Sequence, residues 1–188
     1  MRKYKCLGQN SWHIGEYKLT PIRDEDKYLI MNWRNDQIDI LRQKHLLTRN
    51  QQDTYFKNVV SGLFDVFKPG QLLFSYFFRD ILIGYGGLVH IDWESENAEV
   101  SFLLETKRNS ISNLFFEDFD NYLKLLSKIA FGELKFNKLH TTFYVIDQRK
   151  DYKSVLELNG FVQEARLHKH ILINHSLQDV LIYSLFKK

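Results

Sequence analysis

Lys153-Ser154-Val155-Leu156-Glu157-Leu158-Asn159-Gly160-Phe161 is the stretch whose reading decides the fold. Ser154 to Leu158 is an amphipathic helical run, and Asn159-Gly160 stops it, because glycine after the last apolar turn accepts the left-handed conformation. Phe161 then opens a strand. Asn174-His175-Ser176 lies between two β-rich runs and reads as a hairpin turn, and Asp179-Val180-Leu181-Ile182-Tyr183-Ser184-Leu185-Phe186 is the closing strand. The chain therefore ends on a helix, a long strand, a short turn and a last strand.

Upstream, Phe115, Phe119, Tyr122, Leu126 and Ile129 recur at helical spacing and predict the longest helix, Leu114 to Gly132, about 27 Å at the usual rise per residue. Leu139 to Val145 reads as a strand after it. A strand (Ala98 to Leu104), this helix and then a strand imply a right-handed crossover and a parallel pair. Earlier still, Leu72 to Phe78 and Ile81 to Ile91 flank an Arg79-Asp80 turn, with Lys68-Pro69-Gly70 before them. Gly84, Gly86 and Gly87 within the second of these strands predict a bulge or a close backbone neighbour. Glu16 to Ile22 reads as a first strand. Asp24, Glu25 and Asp26 suit the first turn of a helix carrying Tyr28, Leu29, Met31 and Trp33. Thr48 with Gln51 is a capping box for a second helix, expected to bury Tyr55, Phe56, Val59 and Val60. The predicted fold is α/β: a mixed, mostly antiparallel sheet with one splayed parallel pair and flanking helices. Residues 1–188 are expected to form a single domain, with 1–15 an irregular arm and 16–186 the core.

Composition narrows the function classes. The 188 residues carry a formal charge of only +3, which does not support a nucleic-acid protein. Two prolines and nine glycines leave little room for a flexible linker, while fifteen Phe and ten Tyr supply an aromatic core. Cys6 is the lone cysteine, so no intramolecular disulfide forms, which suits a reducing cytoplasm. Arg2, Lys3 and Lys5 are followed by no apolar run, so no secretory signal is expected, and Leu72 to Phe78 is too short to span a membrane.

The chemistry is expected at the junction between the strand ending at Leu104 and the long helix. A helix N-terminus offers free N–H groups and partial positive charge. Lys107 and Arg108 add cations, and Asn109, Ser110, Ser112 and Asn113 add short polar side chains, so the junction suits a diphosphate. Local sequence alone favours an ordinary solvated loop with a helix cap, because polar loops before helices are common.

Whole-chain order separates these readings. Thr20-Pro21-Ile22-Arg23, Trp33-Arg34-Asn35-Asp36, Ile83-Gly84-Tyr85-Gly86-Gly87-Leu88, Ala98-Glu99-Val100-Ser101-Phe102, Val155 to Phe161, Glu164-Ala165-Arg166-Leu167-His168-Lys169-His170 and Gln178 to Leu185 follow in the order seen in the GNAT superfamily of N-acetyltransferases. The chain resembles that superfamily over residues 16 to 186, and within it the branch of ribosomal-protein N-terminal and amino-sugar acetyltransferases.

The resemblance implies acetyl-CoA as co-substrate and an amine acceptor, either a small molecule or a peptide. It places the pantetheine against Phe102, Leu103 and Leu104, and the diphosphate against Lys107, Arg108, Asn109, Ser110, Ile111, Ser112 and Asn113. That gap beside residues 102 to 113 is the feature on which the reading depends. The family loop usually contains glycines, and this one has none. Arg149 stands near the expected adenylate side. Glu99 falls where the superfamily often has its base. Tyr152 is the nearest match to the acid, although the usual tyrosine register holds Leu156. Trp33, Arg34, His45 and His170 are expected on the acceptor side. His168 and His170 share strand parity without a third ligand, so no metal is expected. A homodimer is compatible with these features, and neither a membrane nor a nucleic acid is an expected partner. Two other readings stay open: a GNAT-fold binding module that has lost its cofactor, and a transferase using another acyl-CoA.

Overall fold

A run apolar on both faces belongs in the middle of a sheet. Leu72-Leu73-Phe74-Ser75-Tyr76-Phe77-Phe78 is such a run, and all but its last residue are buried. In the computed structural model, which describes residues 2–41, 43–146, 150–173 and 175–188, this run is one strand of an eight-stranded sheet. The strands are β1 (Trp12–Ile14), β2 (Tyr17–Pro21), β3 (Leu72–Phe78), β4 (Ile81–Asp92), β5 (Asn97–Leu104), β6 (Lys138–Tyr144), β7 (Val162–Ile173) and β8 (Ser176–Phe186). Their order is β1-β2-β3-β4-β5-β6-β8-β7, and only β5 and β6 run parallel. The α-helices are α1 (Lys27–Asp36), α2 (Arg49–Tyr55), α3 (Thr106–Asn109), α4 (Ser112–Ser127) and α5 (Lys150–Leu158). This is the mixed, mostly antiparallel α/β fold expected from the sequence.

Helix α4 packs on the sheet through the side chains its periodicity predicted: Phe115, Phe119, Tyr122, Leu126 and the following Ile129 are all buried. The approach is close because Gly86 has no side chain. A Cβ there would sit 2.1 Å from the Ser101 carbonyl and 2.5 Å from the Tyr122 hydroxyl, which donates to that carbonyl at 2.7 Å. The glycine-rich β4 thus lets backbone and helix meet.

Several expectations change in detail. The stretch expected to be an irregular arm supplies edge strand β1. It also anchors Tyr4, fully buried, whose hydroxyl donates to the Leu73 carbonyl at 2.8 Å and accepts from the Leu73 N–H at 2.9 Å. The capping box at Thr48 and Gln51 forms, but α2 ends at Tyr55 and continues as a wider turn and then a tighter one. That change of pitch leaves Tyr55 and Val59 partly exposed, while Phe56 and Val60 stay buried. Helix α4 begins at Ser112 rather than Leu114, and short α3 occupies the expected break.

Candidate active site

β5 and β6 share three rungs, Asn97 with Lys138, Ala98 with Leu139 and Glu99 with His140. Beyond Glu99 the strands part. β6 continues against β8 as far as Tyr144 with Val180, and β5 continues against β4. In a strand the N–H and C=O of one residue point to the same side and alternate along the chain. The Ser101 and Leu103 carbonyls face β4, where Cβ atoms on Gly86 and Gly84 would strike them at 2.1 and 2.7 Å. The Val100 and Leu104 carbonyls point the other way, meeting Thr141 Oγ1 at 3.5 Å and Gln37 Nε2 at 2.8 Å. The N–H and C=O of Phe102, between them, therefore face the gap. Its ring is fixed from the other side, stacked 4.6 Å from Phe119 and tilted against Tyr122 at 4.5 Å.

The gap widens into a cavity of roughly 220 Å³ lined by residues that include Arg34, His90, Glu99, Phe102, Tyr144 and Tyr152. Glu99 is the last paired residue before the strands part. Its carboxylate lies 3.7 Å from His90 Nε2 and its side chain is 12% exposed. His90 reaches it from a bulge in β4, where its backbone takes a φ of 49°. Burial pushes the His140 imidazole below the ordinary histidine range, opposed in part by the Glu99 charge. A carboxylate between two imidazoles at the head of a cavity is equipped to take a proton.

Tyr152 lines the same cavity but is 3% exposed, packed between the Phe119 ring at 4.4 Å and the Phe143 ring at 4.9 Å. Its hydroxyl is 3.3 Å from Thr141 Oγ1. Tyr144, at the end of β6, was not singled out by the sequence. The strand alternates buried and half-buried residues from Lys138 to Thr142, and Tyr144 then breaks the alternation by being buried beside Phe143. In the sequence its only mark is the adjacent aromatic pair Phe143-Tyr144 at the end of the run.

The other end of the gap is narrower. Only about 10 Å³ remains between Gln37, Ile40, Phe102, Asn109 and Tyr152. Around the turn after β5, the N–H groups of Asn109, Ser110 and Ile111 bond to carbonyls at Glu105, Thr106, Lys107 and Arg108. Those amides are spent within α3 and its cap. Arg108, expected at a diphosphate, turns inward instead: Nε and a terminal nitrogen each lie 2.7 Å from the carboxylate of Asp118, which is fully buried. The Asp118 carboxylate also accepts from the Tyr17 hydroxyl at 3.0 Å. Ser112 Oγ donates to Asp151 at 2.6 Å, tying α4 to α5. Lys107, Ser110, Ile111, Ser112 and Asn113 are exposed, and the first N–H groups of α4 have no carbonyl partner within the helix.

On the acceptor side, a groove of roughly 730 Å³ lies between the segment after α1 and the β7–β8 hairpin, lined among others by Asp39, Lys44, Tyr144 and His170. Arg34 bonds the Tyr85 hydroxyl at 2.6 Å and Gln43 Oε1 at 3.0 Å and borders the 220 Å³ cavity. Trp33 is instead a core residue, 7% exposed, and His45 is exposed on the segment between α1 and α2. The parity argument for His168 and His170 meets a bulge, where Lys169 has a φ of 50° and the register slips between Leu167 and Ile171. His168 faces Asp179 at 3.2 Å, while His170 joins the groove. Arg149 lies outside the described residues. Among those described, no group of three or more His, Cys, Asp or Glu is placed to hold a metal ion. None of the described helices is long and apolar enough to cross a membrane.

The open peptide edge at Phe102 beside a cavity fits the thioester arm of acetyl-CoA. At Leu104 the Gln37 amide occupies the same edge. For the diphosphate the structure offers the N-terminus of α4 and Lys107.

The comparisons with known proteins agree with this architecture. Among curated proteins no sequence matches the chain. Among solved structures, spermidine N-acetyltransferase from Vibrio cholerae in complex with CoA and spermine superposes with a TM-score of 0.75, at 17% identity over 91% of this chain and 95% of that one. Mutant forms of the spermidine/spermine N-acetyltransferase SpeG from Vibrio cholerae give 0.73 at 18% identity over 91% and 94%. A protein described as a probable acetyltransferase gives 0.74 at 17% over 94% and 97%. At these identities the likeness is one of fold. The sequence profile of the Acetyltransferase (GNAT) domain matches residues 19–182. The chain belongs to that family, the acetyl-CoA-dependent GNAT acetyltransferases.

Proposed function

We propose that this chain transfers an acetyl group from acetyl-CoA to a primary amine on an amino sugar or a peptide N-terminus. The observation that carries the reading is the position of Glu99, at the point where β5 and β6 part and a cavity opens. Acetyl-CoA supplies a thioester carbonyl: a carbon–nitrogen bond forms to the amine as the carbon–sulfur bond breaks, and coenzyme A leaves. The rest belongs to the protein. Glu99 takes the proton that an ammonium must lose before its nitrogen can attack, with His90 and His140 beside the carboxylate. The Phe102 peptide holds the donor by strand-like pairing. Lys107 and the N-terminus of α4 hold the diphosphate. The Tyr152 hydroxyl is the proton source for the leaving thiolate, oriented by Thr141. The acceptor enters through the groove at Lys44 and His170 and reaches Arg34. Arg34 and Lys44 stand there against Glu99 and Asp39, a mixed charge that suits one ammonium on a polar body better than a polyamine.

The test is thiol release from acetyl-CoA with a hexosamine, a nucleotide-linked amino sugar, a short peptide with a free N-terminus, and spermidine. Amine-dependent turnover with an amino sugar or the peptide is expected. Turnover confined to spermidine removes the acceptor assignment, and no turnover with any amine removes the reading. The crowding of Gln37 and the spent amides of Asn109 to Ile111 favour one alternative, a binding module without cofactor. Calorimetry separates the two, since the transferase requires heat on titration with acetyl-CoA and the module requires none.

A further inference from the structure

Buried hydroxyls in folded proteins almost always have a partner, because desolvation without a hydrogen bond is unfavourable. The Tyr144 hydroxyl has none among the described residues, although the side chain is only 6% exposed. Its position is set by the sheet. Tyr144 is the last residue of β6, held opposite Val180, and the next N–H, that of Val145, donates to the Asp179 carbonyl at 3.0 Å. The side chain borders both the 220 Å³ cavity headed by Glu99 and the 730 Å³ groove leading to it, a place it shares with Leu41 and Thr142. Any acceptor passing from the groove to the carboxylate passes this side chain. The neighbouring tyrosine differs, since the Tyr152 hydroxyl lies 3.3 Å from Thr141 Oγ1.

We propose that Tyr144 is an acceptor-binding residue whose hydroxyl hydrogen-bonds a hydroxyl or carbonyl of the acceptor close to its reacting amine. The inference rests on the N-acetyltransferase reading and narrows its substrate class. The acceptor carries a polar oxygen near the nitrogen, as a 1,2-amino alcohol of a sugar or the first carbonyl of a peptide does, and as an alkyl polyamine does not. A buried hydroxyl that the described residues leave unmatched can gain its hydrogen bond when substrate arrives.

Tyr144→Phe keeps the ring and removes the oxygen, so it reads this directly. Two measurements are made on the full chain: the melting temperature without ligand, and steady-state kinetics with whichever hexosamine, amino-sugar nucleotide or peptide the parent acetylates. The expected result is a melting temperature equal to or above that of the parent. KM for the amine rises roughly tenfold, as for one lost neutral hydrogen bond. KM for acetyl-CoA is unchanged and kcat stays within a fewfold. A lower melting temperature means a protein group holds the hydroxyl and overturns the inference. So does an unchanged KM for the amine, or a loss confined to kcat, which belongs to a proton donor. Failure of the parent to acetylate any amine is a different outcome: it removes the parent reading, and this inference with it.

Discussion

Around Glu99 the gap between β5 and β6 has a cavity, a carboxylate beside two imidazoles, and a strand edge facing open space at Phe102. Around Leu104 to Ile111 the same gap is filled from within. Gln37 takes the Leu104 carbonyl, three loop amides bond to their own turn, and half-buried Arg108 is turned in against buried Asp118. The first region is left open, whereas the second is filled by the fold's own groups. A glycine-rich loop keeps its amides free because the backbone can stay extended around an anion. Without glycine the segment closes into a helical turn and satisfies itself. The cation that the sequence offers to a diphosphate then becomes the counter-ion of a buried carboxylate. An open end and a self-satisfied end thus share one cleft, and each side can be tested against the other.

The largest effect is expected where the second region is most committed to structure. Asp118→Ala leaves the Arg108 guanidinium without its partner inside the protein and is expected to cost about 3–5 kcal/mol, read as a lower urea midpoint. The double variant Arg108→Met with Asp118→Leu recovers most of that loss. An unaltered midpoint, with a raised KM for acetyl-CoA instead, returns Arg108 to the diphosphate and erases the contrast. Next in size, Glu99→Gln is expected to lower kcat about a hundredfold while leaving the melting temperature in place. Full activity in that variant removes the carboxylate from the open end.

What could be seen in the sequence follows the range of the interactions. Periodicity placed α4 and its buried face because Phe115, Phe119 and Tyr122 signal within a few residues of one another. The glycines of β4 announced a close approach because a missing side chain is itself a local fact. Glu99 was singled out by the superfamily resemblance, and the structure sets it where β5 and β6 part. Gln37 was not, since its partner Leu104 lies 67 positions away and a glutamine after a helix carries no mark. Arg108 and Asp118 are ten residues apart, but two helices with a turn between them must form before they meet. The sequence shows a basic loop, and only the folded chain shows which anion the base has already found. The arm was misread for the same reason: Tyr4 gains its partner at Leu73 through tertiary contact.

A moderate effect is expected at Gln37. Its amide donates to the Leu104 carbonyl at 2.8 Å on the strand edge that a pantetheine would use. Gln37→Ala removes that donor and leaves the carbonyl unpaired, a loss of about 1–2 kcal/mol in the free protein. Saturating coenzyme A should narrow the difference in melting temperature between variant and parent, because the pantetheine N–H can take the vacated place. An equal difference with and without coenzyme A shows that donor and glutamine do not share the edge, and the narrow end is then closed in every state.

The smallest effect lies at the other end, at His140. Burial lowers its affinity for a proton, the Lys138 and His90 charges act in the same direction, and Glu99 and Glu164 oppose them. The folded chain therefore binds a proton there less readily than the unfolded chain, whose imidazole titrates near 6.5. Above that pH both states are neutral at this site and stability does not depend on it. As pH falls below it, the unfolded state takes up the proton first, and stability declines toward the lowered folded value. His140→Asn should flatten this part of the curve in denaturation experiments run between pH 7 and 5, with every other histidine common to both proteins and cancelling in the difference. Parallel curves for parent and variant show that Glu99 compensates fully for burial. The carboxylate would then be coupled to His140 rather than held for an incoming ammonium, and the open end would owe part of its order to the same kind of internal pairing that closes the other.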